Sequence, residues 1–293
     1  MLFWRKAWTA RKHDSLIDAA EHCAAAGDFG EALLALRQLP LESFGELLLE
    51  VPANRPALGR MLPSMASDDV QRHWTGASGQ TLMTQSLDFV RSVDKGCRQY
   101  LGHGIAGRVL DYGCGWGRLL RLLPWYVDPE QIYGADPWNT SLATCRQHNC
   151  PGHLAECDYV PHDLPFGATF DLIYAFSVFT HLSEKTADAV LRVLRANISD
   201  AGMLVITIRP PAYWNAHTDW RDGSSKQAML ERHQREGFAF VPHDIEPVNG
   251  DITYGDTSMT LDFIRRRWPQ WRIAGTTHNA SDPLQVLVFL LPA

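Results

Sequence analysis

No apolar run in this sequence reaches about 18 residues, the length a helix needs to cross a bilayer, so a transmembrane segment is not expected. The opening Met1-Leu-Phe-Trp-Arg-Lys-Ala-Trp8 runs into the charged Arg11-Lys-His-Asp14 without the apolar stretch of a signal peptide, and a cytoplasmic location is the expectation. Long basic stretches are missing beyond the first dozen residues. With a net charge of −6 the chain lacks the positive footprint of a general nucleic-acid binder, and no nucleic-acid partner is expected. The six cysteines form no C-x-x-C pair, and the one cluster of soft ligands, Cys145, His148, Cys150, His153 and Cys157, fits no standard zinc spacing. No metal site is expected.

Glycine, by contrast, is concentrated where it matters. Val109-Leu-Asp111-Tyr-Gly113-Cys114-Gly115-Trp-Gly117-Arg-Leu-Leu120 reads as a short buried strand ending near an acid, a sharp turn, and then a helical leucine pattern. Glycines suit such a turn because the chain must visit unusual backbone angles and a ligand must approach the backbone. Arg118 stands where the dinucleotide fingerprint G-x-G-x-x-G has its third glycine, so the loop departs from that motif.

These residues resemble motif I of the class I S-adenosylmethionine-dependent methyltransferases. The resemblance implies S-adenosylmethionine as cofactor, with Asp111, Gly113, Cys114, Gly115 and Gly117 around it. A second strand should end about 20 residues on in an acid that holds ribose hydroxyls. Gln131-Ile-Tyr-Gly-Ala-Asp136 supplies it, and Pro137 and Trp138 follow, the indole suited to one face of adenine. Asp158 is the candidate for the adenine amino group, with Asp163 competing. Phe170 to Phe176 reads as a buried strand, and Ser177-Val-Phe-Thr-His181-Leu as the loop at its carboxyl end, similar to motif IV of the same superfamily.

Strands near 107–111, 131–135, 153–157, 170–176 and 203–208 alternate with helices, and two more follow at 271–276 and 285–291. The expected fold is therefore α/β, a Rossmann-like doubly wound seven-stranded sheet with an antiparallel last strand, plus an N-terminal helical extension. Ser15–Ala26 and Phe29–Leu39 read as a helical hairpin resembling one tetratricopeptide unit, and the prolines at 40, 52, 56 and 63 suggest a boundary near residues 50–68. The division predicted is an extension over 1–68, a candidate for self-association or partner contact, and a catalytic domain over 69–293.

Gln71-x-x-Trp74-Thr-Gly-x-x-Gly79, Tyr254-Gly-Asp-Thr-Ser and Phe263-Ile-Arg-Arg-Arg-Trp resemble a subgroup of bacterial methyltransferases associated with polysaccharide and glycan assembly. Thr207-Ile-Arg209-Pro-Pro departs from the Thr-Thr-His-Gly expected there. The insertion 209–260, dense in Tyr213, Trp214, His217, Trp220, His233, His243 and Tyr254, reads as a lid and acceptor pocket, or as aromatic glue. Trp74, Tyr213, Trp214 and Tyr254 are the candidate substrate contacts.

The implied activity is O-methylation of a sugar, glycan precursor or other small polar metabolite. Its general base would be His181 first, then His217 or His243. A His181 buried and hydrogen-bonded to backbone is the competing reading of that residue. A catalytically degenerate cofactor-binding or assembly domain, or a protein or RNA methyltransferase, are the alternative functions.

Overall fold

The computed structural model describes residues 2–216 and 225–293, with side chains from residue 13 onward. Its contacts divide into two units, one of Met1–Val90, Gly115–Ile132 and Thr140–His153, the other of Arg91–Cys114, Tyr133–Asn139 and Leu154–Ala293.

The first unit is helical. Helices α1 (Leu2–Ala25) and α2 (Phe29–Leu36) form the expected hairpin, turned by Gly27 at φ +83° and capped by Asp28, whose carboxylate accepts the Glu31 N–H at 3.1 Å. After them come α3 (Leu41–Leu49), α4 (Pro56–Met61), α5 (Asp68–Thr75) and α6 (Gly79–Tyr100), whose last turns belong to the second unit. The prolines begin helices more than they break them: Pro40 is the N-cap of α3, and Pro56 opens α4, where a missing N–H costs nothing. The next two amides of α4, Ala57 and Leu58, donate to the Glu21 carboxylate at 2.9 Å each, which fastens α4 to α1. The leucine pattern after the glycine loop forms a 3₁₀ helix, Leu120–Trp125, where an α-helix was expected. Pro124 lies inside it, and a proline ring clashes with the carbonyl four residues back in an α-helix. Helix α7 (Asn139–Gln147) completes this unit.

The second unit is built on the sheet. Strands β1 (Val109–Tyr112), β2 (Ile132–Asp136), β3 (His153–Glu156), β4 (Phe170–Ala175) and β5 (Ile198–Ile208) follow one another, with an irregular connection from β3 to β4 and helix α8 (Glu184–Ala196) crossing from β4 to β5. The insertion then adds α9 (Tyr213–Ala216), α10 (Lys226–Glu236), β6 (Phe238–Pro242) and β7 (Gly255–Met259), and the chain closes with α11 (Leu261–Arg267), β8 (Trp271–Asn279) and β9 (Asp282–Pro292). The main sheet runs β3-β2-β1-β4-β5-β9-β8, with β4 parallel to both β1 and β5, and β9 antiparallel between β5 and β8. This is the Rossmann-like seven-stranded sheet predicted, antiparallel last strand included. All four residues of β1 are buried, as befits a strand covered on both faces. The carboxyl ends of β1, β2, β4 and β5 form one edge, where ligands bind in open α/β sheets.

The insertion is stapled to the loop after β4. Strand β7 pairs with β6 in register Phe238↔Met259 to Pro242↔Gly255. On its other side Gly255 N–H donates to His181 O at 2.8 Å and Thr257 N–H to Thr180 O at 2.9 Å, while the Thr257 hydroxyl donates to Leu182 O at 2.6 Å. No helix among the described residues is long and apolar enough to cross a membrane.

Candidate active site

The glycine loop is shaped by three left-handed residues, Gly113, Gly115 and Gly117 at φ +75°, +55° and +80°. Their surroundings differ. A Cβ on Gly113 would lie 2.4 Å from the Val178 side chain, and one on Gly117 would lie 2.6 Å from Cys150 Sγ, so both are glycines for packing as well as conformation. A Cβ on Gly115 meets nothing closer than the Trp74 ring at 3.8 Å. That open ledge is the cradle a ligand requires. The Gly113 and Cys114 N–H groups both donate to Ala135 O, at 2.8 and 3.1 Å, which ties the loop to β2 and removes these two donors from any ligand.

Asp136 ends β2, buried, and its Oδ1 accepts the Trp138 N–H at 2.9 Å across an Asx turn that includes Pro137. Trp138 is half exposed, and its indole N–H donates to the Tyr159 hydroxyl. A fixed carboxylate for ribose hydroxyls and a tethered ring for adenine fit S-adenosylmethionine in chemistry. Of the two adenine candidates, Asp163 is engaged locally, accepting its neighbour Leu164 N–H at 2.8 Å, whereas the charge of Asp158 is felt at Tyr112 and Cys157. Asp111, at the end of β1, is buried beside Tyr174.

Around His181 and the insertion stands a cluster built on one carboxylate. Asp256 Oδ1 accepts Arg209 Nη1 at 2.5 Å and the Tyr213 hydroxyl at 2.6 Å, and its Oδ2 accepts His243 Nε2 at 3.0 Å. Arg209 also donates to Thr180 O at 2.9 Å and lies 3.9 Å over the Tyr213 ring. Burial alone would raise the Asp256 carboxyl, but the Tyr213 hydroxyl, the Arg209 charge and His243 together bring it down to about 2. It is a fixed anion at any working pH.

This geometry bears on His181, the first candidate for the base. His181 Nδ1–H donates to Gly255 O at 2.7 Å, and its Nε2 faces Arg209 Nη2 at 3.2 Å, where the guanidinium can only donate. Both ring nitrogens are engaged. Burial first, and then the Arg209 charge, lower its pKa to about 3, so the ring is neutral and a weak base. It stacks on Tyr254 at 4.7 Å and 5°. His181 is thus the buried, backbone-bonded histidine of the competing reading. Its folded pKa lies below the 6.5 of the free ring, so the unfolded chain binds the extra proton. The stability this neutral ring carries is complete above pH 6.5 and falls as pH drops toward 3. Urea unfolding across that window should show a slope approaching about 1.4 kcal/mol per pH unit from this group, and His181→Asn should flatten it.

His243 has the opposite character. Its Nε2 is anchored on Asp256, and its Nδ1 makes no hydrogen bond among the described residues. Its side chain is 41% exposed, against 15% for His181. Tyr254, 37% exposed, lies edge-on to it at 5.4 Å, and the charge of Asp136 reaches the Tyr254 hydroxyl. The cluster therefore lies within electrostatic reach of the carboxylate offered to ribose.

Other assignments change with burial. Trp214 is fully buried, donates to the Ser258 hydroxyl at 2.7 Å and packs with Met229, Ala239 and Val241, so it is core and not a substrate contact. Tyr213 is buried and commits its hydroxyl to Asp256, which makes it a support. Trp74 stands beside Gly115 of the glycine loop. Ser177, at φ +59°, is held by β5 and its own loop: its N–H donates to the Thr207 hydroxyl at 2.7 Å and its hydroxyl lies 3.3 Å from that of Thr180. His217 and Trp220 lie outside the described residues. Cys145 and Cys150 donate to Gly115 O and Trp116 O beneath the glycine loop. Sequence reasoning missed Arg209 and Asp256. The signals were there, in the Arg209 departure and in the Asp of Tyr254-Gly-Asp-Thr-Ser, but nothing in the sequence paired them.

Residues 109–202 match the sequence model of a methyltransferase domain, and no curated protein matches the chain. Among solved structures, an S-adenosylmethionine-dependent methyltransferase from Clostridium acetobutylicum superimposes with a TM-score of 0.50 at 11% identity, over 77% of this chain and 97% of that one. The glycopeptide N-methyltransferase MtfA gives 0.49 at 14%, over 73% and 91%. Streptomyces venezuelae DesVI gives 0.49 at 14%, over 78% and 100%. At these identities the likeness is one of fold.

Proposed function

We propose that this chain, whose residues 109–202 match a methyltransferase domain, is a class I S-adenosylmethionine-dependent enzyme that methylates a hydroxyl of a sugar, a glycan precursor or another small polar metabolite, with His243 as the base. One observation carries this reading: a solvent-reachable imidazole whose far nitrogen is anchored on a permanently ionised carboxylate and whose near nitrogen is open.

S-adenosylmethionine supplies a methyl group already activated on a sulfonium. What the protein adds is position and a place for a proton. Asp136 would hold the ribose hydroxyls, Trp138 the adenine face and Gly115 the approach to the loop, with Asp158 the choice for the adenine amino group. The acceptor hydroxyl lies against Tyr254 and gives its proton to His243 Nδ1. Asp256 stabilises the imidazolium that forms and keeps Nε2 as the donor nitrogen, so that Nδ1 is always the accepting one. Arg209, Tyr213 and His181 touch none of the reacting atoms. They hold Asp256 and Tyr254 in place.

Calorimetric titration with S-adenosylmethionine and S-adenosylhomocysteine, with NAD as control, is the first test. Micromolar binding of the first two and none of NAD is expected. Release of S-adenosylhomocysteine with a panel of hydroxyl-bearing sugars then reads turnover, and a product methylated on nitrogen or carbon would overturn the hydroxyl assignment. Asp136→Ala should weaken S-adenosylhomocysteine binding by about 1–3 kcal/mol, through loss of charged hydrogen bonds to ribose. Unchanged affinity would remove Asp136 from the site.

A further inference from the structure

Gln285, the fourth residue of β9, lies beside the carboxyl end of β5, where its neighbour Val286 pairs with Ile208. Its side chain is buried, with the residue 6% exposed. The amide Nε2 donates to the Ser177 hydroxyl at 3.2 Å, while the carbonyl Oε1 is buried with no hydrogen-bond partner among the described residues. Buried carbonyl groups are nearly always satisfied, and each exception calls for a reason.

The surroundings point to one. Ser177 is a non-glycine residue in left-handed backbone at the mouth of β4, a conformation that costs free energy and persists where neighbours fix it. Here the Thr207 hydroxyl fixes it at 2.7 Å, and Thr207 is fully buried. The next residue, Val178, is the one that fills the space behind Gly113 of the glycine loop. Gln285 is therefore anchored by a strained serine at the ligand edge of the sheet, on the strand beyond β5, with its acceptor end left over.

We propose that Gln285 Oε1 is a specificity-determining contact that receives a hydrogen-bond donor, an O–H or N–H, carried by the methyl acceptor next to the atom that is methylated. The assignment rests on the small-molecule methyltransferase reading above. Acceptors lacking that neighbouring donor leave the carbonyl buried and unpaired, and a site that binds a polar group in this way rejects the analogue without it far better than an apolar pocket does.

The test exploits the fact that a group unsatisfied in the free protein is a burden until ligand arrives. Gln285→Met keeps length and removes the carbonyl. The expected result is a Tm higher by roughly 2–4 °C, the usual response of a chain this size to a small gain. S-adenosylhomocysteine affinity should stay within about threefold. KM for the best sugar in the release panel should rise about 10- to 100-fold with kcat little changed, at a factor of ten per 1.4 kcal/mol of lost contact. Ser177→Ala, which frees the amide without removing the carbonyl, should raise KM with no gain in Tm. A lower Tm for Gln285→Met with KM unchanged would make Gln285 a structural residue and overturn the proposal. Weakened S-adenosylhomocysteine binding would move the contact to the cofactor and overturn it equally. A wild-type protein that binds no S-adenosylhomocysteine would instead overturn the methyltransferase reading, whichever way Tm moves.

Discussion

Asp256→Asn should reduce turnover by about a thousandfold or more and destabilise the protein by about 3–5 kcal/mol, while S-adenosylhomocysteine affinity stays within about threefold. The two losses have different origins. The stability loss comes from Arg209, whose side chain is only 10% exposed and whose one carboxylate partner among the described residues is Asp256. An asparagine of the same shape leaves that guanidinium buried with its charge uncompensated, the situation in which breaking an ion pair is expensive. Tyr213 keeps an acceptor in the amide oxygen, so packing is preserved and the effect reports charge. The activity loss comes from His243, which loses the anion that stabilises its protonated form and fixes its tautomer.

The pH dependence of stability supplies an internal check on this account. Asp256 is held at about 2, below the 3.8 of a free aspartate, so it contributes stability above pH 3.8 that disappears as pH falls toward 2. Asp256→Asn should therefore cost most at neutral pH and progressively less in acid. A variant equally destabilised at pH 7 and pH 2.5, measured by urea unfolding, would mean the loss is steric. Full activity in Asp256→Asn would end the case for the dyad, whatever the stability.

Much of the cofactor edge could be read directly from the sequence because its signals are local. Three glycines within five residues, an acid closing the next strand and a tryptophan two residues later all act through their own backbone neighbourhood. The acceptor side depends on residues brought together from afar. Arg209 and Asp256 are separated by 47 positions, and only the pairing of β7 with the loop after β4 joins them. Periodicity does not foresee such pairing, since Phe238-Ala-Phe-Val-Pro242 is a short apolar run and the Asn249-Gly250 turn between β6 and β7 sits inside a 12-residue connection, well beyond the roughly two to five residues of an ordinary hairpin loop. Composition misled in one place for a clear reason. Tyr213 and Trp214 counted equally toward an aromatic pocket, yet each found a buried polar partner, and an aromatic residue with its polar end satisfied in the core has no further need of a ligand. The leucines after Gly117 likewise fit an α-helix until Pro124 is counted against it.

His243→Ala carries the second large effect, a fall in kcat of about a hundred- to ten-thousandfold, the range over which a positioned proton acceptor contributes. The same substitution should change unfolding by less than about 1 kcal/mol. A 41% exposed ring that makes one hydrogen bond has little packing to lose, and Asp256 keeps Arg209 and Tyr213 when it goes. His181→Asn makes the necessary comparison, for it lies in the same cluster and stacks on the same Tyr254. If His243 takes the proton, His243→Ala loses that turnover, while His181→Asn, whose parent ring is neutral and titrates at about 3, keeps most of it. Were His181→Asn to abolish turnover and His243→Ala to spare it, the roles would be reversed, and the Arg209 contact on His181 Nε2 would have to break during turnover. The neutral, doubly bonded ring of His181 argues against that, because freeing Nε2 would leave the buried guanidinium short of one acceptor in the same step that asks the ring to accept a proton beside it.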